Sequence, residues 1–150
     1  MLVLALDTAM SACSAALVEN AGRPGARVLA ARTTPMERGH AEALLPLIET
    51  IMAEGGRSYA DLDLIAATVG PGAFTGIRVG LAAARGLALA ADKPCAGVTT
   101  LEALAAAASS VVGGAPVLVA VESRRSDLFV QAFGANGLAL SAPESLPPEG

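Results

Sequence analysis

The stretch Thr68-Val69-Gly70-Pro71-Gly72-Ala73-Phe74-Thr75-Gly76-Ile77-Arg78-Val79-Gly80 says most about the fold. It follows an apolar run that predicts a strand, and it opens an apolar segment at about 74–91 that predicts a helix. Free backbone N–H groups in such a turn can bind anions. However, no Gly-Lys-Ser/Thr follows, as a P-loop would require, and the glycine spacing GxGxxxG is not the dinucleotide fingerprint. Two interpretations stay open: a phosphate site, and a tight turn that lets a helix pack close to the sheet.

Two stripes run along this predicted helix. Gly76, Gly80 and Ala84 recur every four residues and form a ridge that lets another helix approach closely. Glycine costs about 1 kcal/mol relative to alanine in a helix interior, so two glycines need a packing reason. Arg78 and Arg85 share a second stripe, which is either solvated or in contact with an acidic partner helix or a phosphate.

The rest of the chain predicts short strands that alternate with helices. The predicted strands lie at 2–6, 13–19, 27–34, 62–69, 95–98, 116–121 and 128–133, and the other helices at 40–54 and 100–110. A polar turn is predicted at 123–126 and a further strand from about Leu138. This order predicts an α/β fold with a mixed sheet and flanking helices. The break after Val98 predicts a first lobe, 1–98, and the start of a second, incomplete lobe, 99–150.

The first predicted helix has a wide apolar face. Its large apolar residues are Leu44, Leu45, Leu47, Ile48, Ile51 and Met52. They span an arc of roughly 160°, wider than the stripe of about 100° that a helix needs for its own core. The surplus predicts either contact with a second protein or cover from another part of the same chain.

Composition excludes several classes of protein. Of the 150 residues, 53% are hydrophobic and 16% charged, so the chain is not intrinsically disordered. A net charge of −4 and 3% aromatic residues argue against direct nucleic-acid binding. Cys13 and Cys95 form no CxxC pair, which favours free thiols in the cytoplasm. The apolar N-terminus is interrupted by Asp7, and the uncharged stretch 103–121 is mostly small residues, so neither a secretory signal nor a membrane span is expected.

Few residues are candidates for chemistry. His40 is the single histidine, and Leu44 stands four residues later, so no two-histidine metal face is expected. Asp7, followed by Thr8, ends the first predicted strand. A carboxylate there can hold Mg²⁺ through water beside a phosphate, or it can bond to nearby backbone N–H groups as a turn residue.

Three motifs in order carry a resemblance to a known family. They are Leu4-Ala5-Leu6-Asp7-Thr8, followed by Cys13-Ser14-Ala15-Ala16-Leu17; His40-Ala41-Glu42-Ala43-Leu44-Leu45-Pro46; and Gly70-Pro71-Gly72-Ala73-Phe74-Thr75-Gly76-Ile77-Arg78-Val79-Gly80. Over about residues 1–135 the chain resembles the TsaB/YeaZ family, the dimerisation subunit of the bacterial machinery that makes threonylcarbamoyladenosine in tRNA. Ala73 stands where the family usually has serine. Family members are usually about half as long again.

The resemblance implies a two-lobed actin-like, ribonuclease H-like fold. It implies a cytoplasmic, non-catalytic scaffold that pairs with the catalytic paralogue TsaD and acts with the ATPase TsaE, meeting tRNA only through the complex. It further implies an interface, also used for a homodimer, on the first two helices. The residues assigned to it are Leu44, Leu45, Ile48, Met52, Gly76, Arg78, Gly80, Ala84 and Arg85.

For nucleotide, the resemblance matches Asp7 and Thr8 to a degenerate phosphate loop in which Ala9 replaces a glycine. No cofactor is therefore expected in this chain, and ATP or ADP with Mg²⁺ is expected at the interface of the full complex. The alternative is an enzyme of the same superfamily, a glycoprotease-like metallopeptidase or an ATPase. One histidine argues against the peptidase.

Overall fold

Five strands form the main sheet of the computed structural model, which describes residues 1–122 and 127–147. The strands are β1 (Leu2–Asp7), β2 (Ala12–Glu19), β3 (Arg27–Pro35), β4 (Leu64–Thr68) and β5 (Cys95–Val98). Their order across the sheet is β3-β2-β1-β4-β5. The first three are antiparallel neighbours, whereas β1, β4 and β5 are parallel. Parallel neighbours need crossovers of a dozen or more residues, which here are helical.

Two helices cover one face of this sheet. Helix α1 (His40–Gly55) connects β3 to β4 by way of a short 3₁₀ helix, Tyr59–Asp61, and α2 (Phe74–Ala91) connects β4 to β5. Side chains alternate across a strand, so every second residue of β1 points into the layer beneath the helices. The core between sheet and helices contains the buried side chains Leu4, Leu6, Leu17, Leu44, Ile48, Ile51 and Ile65.

A smaller unit follows β5. Helix α3 (Thr100–Ser109) packs on a three-stranded antiparallel sheet of β6 (Val117–Glu122), β7 (Leu128–Phe133) and β8 (Glu144–Leu146). Its own core consists of Leu101, Ala105, Val119, Val121 and Phe133. The mixed five-stranded sheet with its flanking helices confirms the predicted α/β class. The predicted lobe boundary after Val98 stays a prediction.

Two predicted strands are placed differently in the structure. The predicted strand at 62–69 starts later, because the 3₁₀ helix ends at Asp61 and the Asp63 carboxylate accepts a hydrogen bond from the Leu2 N–H (2.7 Å). The strand predicted from Leu138 lies at Glu144–Leu146 instead, because Leu138 closes a turn in which its carbonyl accepts from the Gly134 N–H (2.8 Å). The turn predicted at 123–126 lies outside the described residues.

Candidate functional site

The glycine-rich turn between β4 and α2 brings the start of α2 against the end of β1. The Ala73 N–H donates to the Ala9 carbonyl oxygen over 2.7 Å. A Cβ at Gly72 would overlap that same oxygen, and Gly70 has φ +101°, a conformation that L side chains rarely adopt. The turn therefore needs glycine for close packing. This favours the interpretation as a tight turn that lets a helix pack close to the sheet over the interpretation as a phosphate site.

The small-residue ridge of α2 faces its own chain. The Thr8 hydroxyl, 1% exposed, donates to the Gly76 carbonyl over 2.7 Å. A Cβ on Gly76 would overlap the Thr8 carbonyl oxygen, and one on Gly80 would lie 2.5 Å from the Thr8 hydroxyl oxygen. Ala84 is fully buried in the core. Gly76, Gly80 and Ala84 therefore cannot meet a partner helix, and their sequence-based assignment to the interface is corrected.

Asp7 and Thr8, which the resemblance matches together to a phosphate loop, have different roles in this fold. Thr8 is buried beneath α2, so its hydroxyl cannot reach a nucleotide, and that half of the assignment is also corrected. One carboxylate oxygen of Asp7 accepts from the Ala9 N–H (2.9 Å) and from the Thr68 hydroxyl (2.7 Å). The bond from Ala9, two residues on, is the one expected of a turn aspartate, whereas the bond from Thr68 links the ends of β1 and β4.

Asp7 also lines a cavity of about 280 Å³ on the sheet face that α1 and α2 do not cover. The floor is mostly alanine, with Ala16 and Ala66 on either side of Ala5, and Ala103 of α3 closes it on one side. Ser14 and Thr68 add hydroxyl groups near Asp7. The arrangement is polar at one end and apolar elsewhere, as small-molecule sites commonly are.

Cys13 belongs to the core rather than to a reactive site. It is fully buried, and this burial, together with the negative charge of Asp7, raises the pKa of its thiol. A raised pKa keeps the sulfur protonated and inert near neutral pH.

The apolar arc of α1 is used mostly inside the fold. Leu44, Ile48 and Met52 are at most 4% exposed and pack against the sheet. They are not available to a partner that docks on this fold, so their assignment to the interface is corrected as well. Leu45, which is 51% exposed, is the member of that set that a partner can reach.

The outer side of α2 is apolar and open. By length and composition alone, the helix is long and apolar enough to cross a membrane. Only 22% of its 18 residues are buried in the fold. Phe74 is 68% and Leu89 86% exposed, and both arginines of the second stripe are also exposed. Two charged residues on that side would be costly in lipid.

Arg78 is held in place by its neighbour one helical turn earlier. Its guanidinium lies over the Phe74 ring, 3.6 Å from the ring centroid. Neither Arg78 nor Arg85 has an ion-pair partner within residues 1–122 and 127–147. Sequence reasoning missed Phe74 and Leu89 as surface residues. The Phe-x-x-x-Arg spacing was the available signal for the stacked pair.

The N-termini of α1 and α2 meet at a groove of about 470 Å³ that includes Arg38, His40, Glu42, Phe74 and Thr75. His40 is placed here by its contact with the Met10 carbonyl oxygen, 3.3 Å from Nε2. Within the described part of the chain, no three His, Cys, Asp or Glu side chains are grouped closely enough to hold a metal ion.

Comparison with known proteins places these features in context. The family model described as TsaD, tRNA N6-adenosine threonylcarbamoyltransferase, matches residues 28–140. The chain is 36% identical over 129 residues to the tRNA threonylcarbamoyladenosine biosynthesis protein TsaB of Escherichia coli, covering 86% of this chain and 53% of that protein. It is 37% identical over 127 residues to TsaB of Haemophilus influenzae, covering 85% and 51%. The chain thus spans about half the length of the curated relatives it matches.

Comparison with solved structures indicates the same family. The chain is similar to YeaZ from Pseudomonas aeruginosa with a TM-score of 0.87 and 33% identity, over 98% of this chain and 68% of that one. A PPX-GPPA enzyme from Aquifex aeolicus shares the fold alone, with a TM-score of 0.53 and 11% identity. Together these similarities confirm the predicted actin-like fold.

Proposed function

The chain belongs to the TsaB/YeaZ family, and from that premise we propose that it is a scaffold subunit in the biosynthesis of threonylcarbamoyladenosine in tRNA. It pairs with a TsaD-like catalytic paralogue and acts with a TsaE-like ATPase. The complex transfers threonylcarbamoyl to the adenosine next to the anticodon. The chain itself is non-catalytic and cytoplasmic, and it meets tRNA only within that complex.

The open side of α2 carries this proposal. Phe74 and Leu89 on this apolar helix are 68% and 86% exposed, and exposed apolar side chains that lie together often mark a site of protein–protein interaction. Phe74 and Arg78 are of the kinds enriched at the centres of protein interfaces, an aromatic ring and a guanidinium, and Leu89 adds exposed apolar surface on the same side of the helix. Leu45 and Arg85 extend the same surface. We define the exposed outer sides of α1 and α2 as the α1–α2 face.

A non-catalytic role is supported by what the candidate residues do in the fold. The Thr8 hydroxyl is bonded to Gly76, and one oxygen of Asp7 is bonded to Ala9 and Thr68. His40 lies against a backbone carbonyl. We therefore place the nucleotide, ATP or ADP with Mg²⁺, at the interface of the full complex rather than in this chain.

The proposal is tested by co-purifying the chain with its catalytic paralogue and assaying tRNA modification with and without it. We expect a stable complex and a marked loss of modification when the chain is omitted. Replacing Phe74 by Ala should weaken the complex, because truncating a central aromatic residue of an interface typically costs about 2 kcal/mol or more. As a matched control, Phe129→Ala in β7 changes the same side chain away from the α1–α2 face and should leave the affinity of folded protein unchanged. Full modification without the chain would contradict the proposal.

The cavity beside Asp7 favours a second candidate, an ATPase of the same superfamily. This candidate requires Mg²⁺-dependent nucleotide binding by the chain alone. Isothermal calorimetry with ATP and Mg²⁺ distinguishes the two. Binding that disappears in Asp7→Asn would support the ATPase, and no binding heat would support the scaffold.

A further inference from the structure

Two rows of side chains cross the open face of the main sheet and form the floor of the cavity beside Asp7. The first row is polar, and its members on β3, β2, β1 and β4 are Thr33, Ser14, Asp7 and Thr68. The second row lies one pleat away on the same four strands and contains Ala31, Ala16, Ala5 and Ala66. Paired residues of neighbouring strands project from the same face of a sheet, so both rows line the cavity.

The alanine row gives the cavity a flat apolar floor. Neighbouring strands lie about 4.8 Å apart, so four strands span about 14 Å, and the two rows are separated by about 7 Å along the strands. Because each alanine projects a single methyl group, the row leaves open the space that larger side chains would fill. The cavity volume of about 280 Å³ lies just below the range of about 300–1,000 Å³ that is usual for ligand pockets, which indicates a small occupant.

The polar row has hydrogen-bonding capacity that the fold leaves unused. Oδ1 of Asp7 accepts both of the bonds described above, from the Ala9 N–H and the Thr68 hydroxyl. Within residues 1–122 and 127–147, Oδ2 of Asp7 has no hydrogen-bond partner, and neither do the hydroxyl groups of Ser14 and Thr33. An ionised carboxylate can only accept, so this end of the cavity requires a donor from its occupant.

The charge of the cavity indicates which donor fits. Among the lining residues that the structure describes, Asp7 is the only charged one, so a phosphate group would meet a negative charge with no lysine or arginine beside it. A cationic donor forms a charge-assisted hydrogen bond with a carboxylate, roughly twice as strong as a neutral one. Ser14 lies directly opposite Asp7 in the register, with about 5 Å between their Cβ atoms, so one ammonium group can reach both side chains.

We propose that this cavity binds a small organic cation, a primary ammonium group attached to a compact apolar body. The ammonium group donates to Oδ2 of Asp7 and to the Ser14 hydroxyl, and the body lies on the methyl groups of Ala5, Ala16 and Ala66. The cavity is on the sheet face opposite to the α1–α2 face, so this inference does not depend on the proposed function.

The test is a titration of the full chain with benzylammonium chloride, followed through backbone amide chemical shifts by NMR. We expect saturable shifts at Asp7, Ser14 and Ala66. Benzyl alcohol has the same ring without the charge, and methylammonium has the charge without the ring. Each should bind at least about tenfold more weakly than benzylammonium, because it lacks either the charge-assisted hydrogen bond or the apolar contact with the floor.

Two substitutions separate the carboxylate from the floor. Asp7→Asn retains an oxygen that can accept from Ala9 and Thr68 but removes the charge, and it should weaken benzylammonium binding by about tenfold or more. Asp92→Asn makes the same change at the exposed end of α2, outside the cavity, and should leave the dissociation constant unchanged. Ala16→Leu fills the floor and should abolish binding although Asp7 is intact. Circular dichroism checks that each variant is folded.

Three results would overturn the inference: no saturable shifts with benzylammonium up to its solubility limit, equal affinity for benzyl alcohol or methylammonium, or a dissociation constant that Asp7→Asn leaves unchanged. If Asp7→Asn does not fold, the comparison of benzylammonium with benzyl alcohol still measures the effect of the charge. A parallel titration with ATP and Mg²⁺ tests the competing occupant. Shifts at Asp7 and Ser14 with ATP and Mg²⁺, but none with benzylammonium, would assign the cavity to a nucleotide and reject the organic cation.

Discussion

At Gly76 the backbone of α2 comes so close to the end of β1 that a Cβ would overlap the Thr8 carbonyl oxygen. The neighbour is backbone, which cannot rotate away as a flexible side chain can. Gly86 lies on the same helix but has open space where its Cβ would be. Gly76 and Gly86 are therefore expected to respond in opposite ways to the same substitution.

We expect Gly76→Ala to destabilise the protein by about 1–3 kcal/mol, the usual cost of overpacking. Gly86→Ala should instead stabilise it by about 0.5–1 kcal/mol, because alanine loses less backbone entropy in a helix. Urea unfolding followed by circular dichroism measures both free energies of unfolding. Equal effects of the two substitutions would contradict the packing of α2 against Thr8.

At the scale of elements, helix ends were easier to predict from sequence than helix faces. The bounds of α2 and β5 agree with the sequence, because a glycine-rich turn precedes α2 and Lys93-Pro94 separates the two elements. Spacing identifies the Gly76 ridge as one stripe, but it cannot say which way the stripe faces. The answer depends on Thr8, 68 residues earlier in the chain, which no local pattern connects to Gly76.

The sequence likewise could not show which residues of α1 and α2 are covered by the fold and which are exposed. An arc of roughly 160° was assigned partly to a partner, but Leu44, Ile48 and Met52 are all covered by the chain's own sheet. Phe74 reads as a core residue from its type alone, and its exposure becomes visible only once the fold is known.

Helix α3 begins with a capping box that makes its stability depend on pH. The Thr99 hydroxyl and N–H both donate to Glu102 (2.7 and 2.8 Å), and the Glu102 N–H donates back to the hydroxyl over 3.1 Å. The hydroxyl first, and then the N–H, hold the pKa of the Glu102 carboxyl below its ordinary value. Because the folded-state pKa is lowered, this stabilisation is complete above the ordinary pKa and is lost as the pH falls through the lowered one.

We therefore expect amide protection factors in α3 to fall on acidification through that range. Glu102→Gln should reduce the fall, and Thr99→Ala should cost about 1 kcal/mol at neutral pH. Hydrogen exchange followed by NMR at several pH values measures both effects. Glu49→Gln, on the exposed surface of α1, is the control. If protection factors in α3 fell equally in the wild type and in Glu102→Gln, the role of the capping box would be contradicted.

Across the whole molecule, apolar burial is uneven. Among the described residues, the core under α1 and α2 contains sixteen buried side chains, whereas the core under α3 contains five. Leu118, Leu138 and Leu140 of the smaller unit are all more than 60% exposed. Hydrophobic stabilisation grows with buried area, so the smaller unit should open at a lower free energy than the main sheet.

Native-state hydrogen exchange of the intact chain tests that gradient. We expect the amides of β1 and β4 to exchange only through global unfolding, and those of β6 and β7 to exchange faster, through local opening. Val119→Ala removes apolar volume from the small core and should lower protection in β6 and β7 while leaving β1 unchanged. Leu4→Ala, a substitution of the same kind in the large core, should lower protection throughout. Uniform protection across both sheets would mean that the two cores unfold as one cooperative unit.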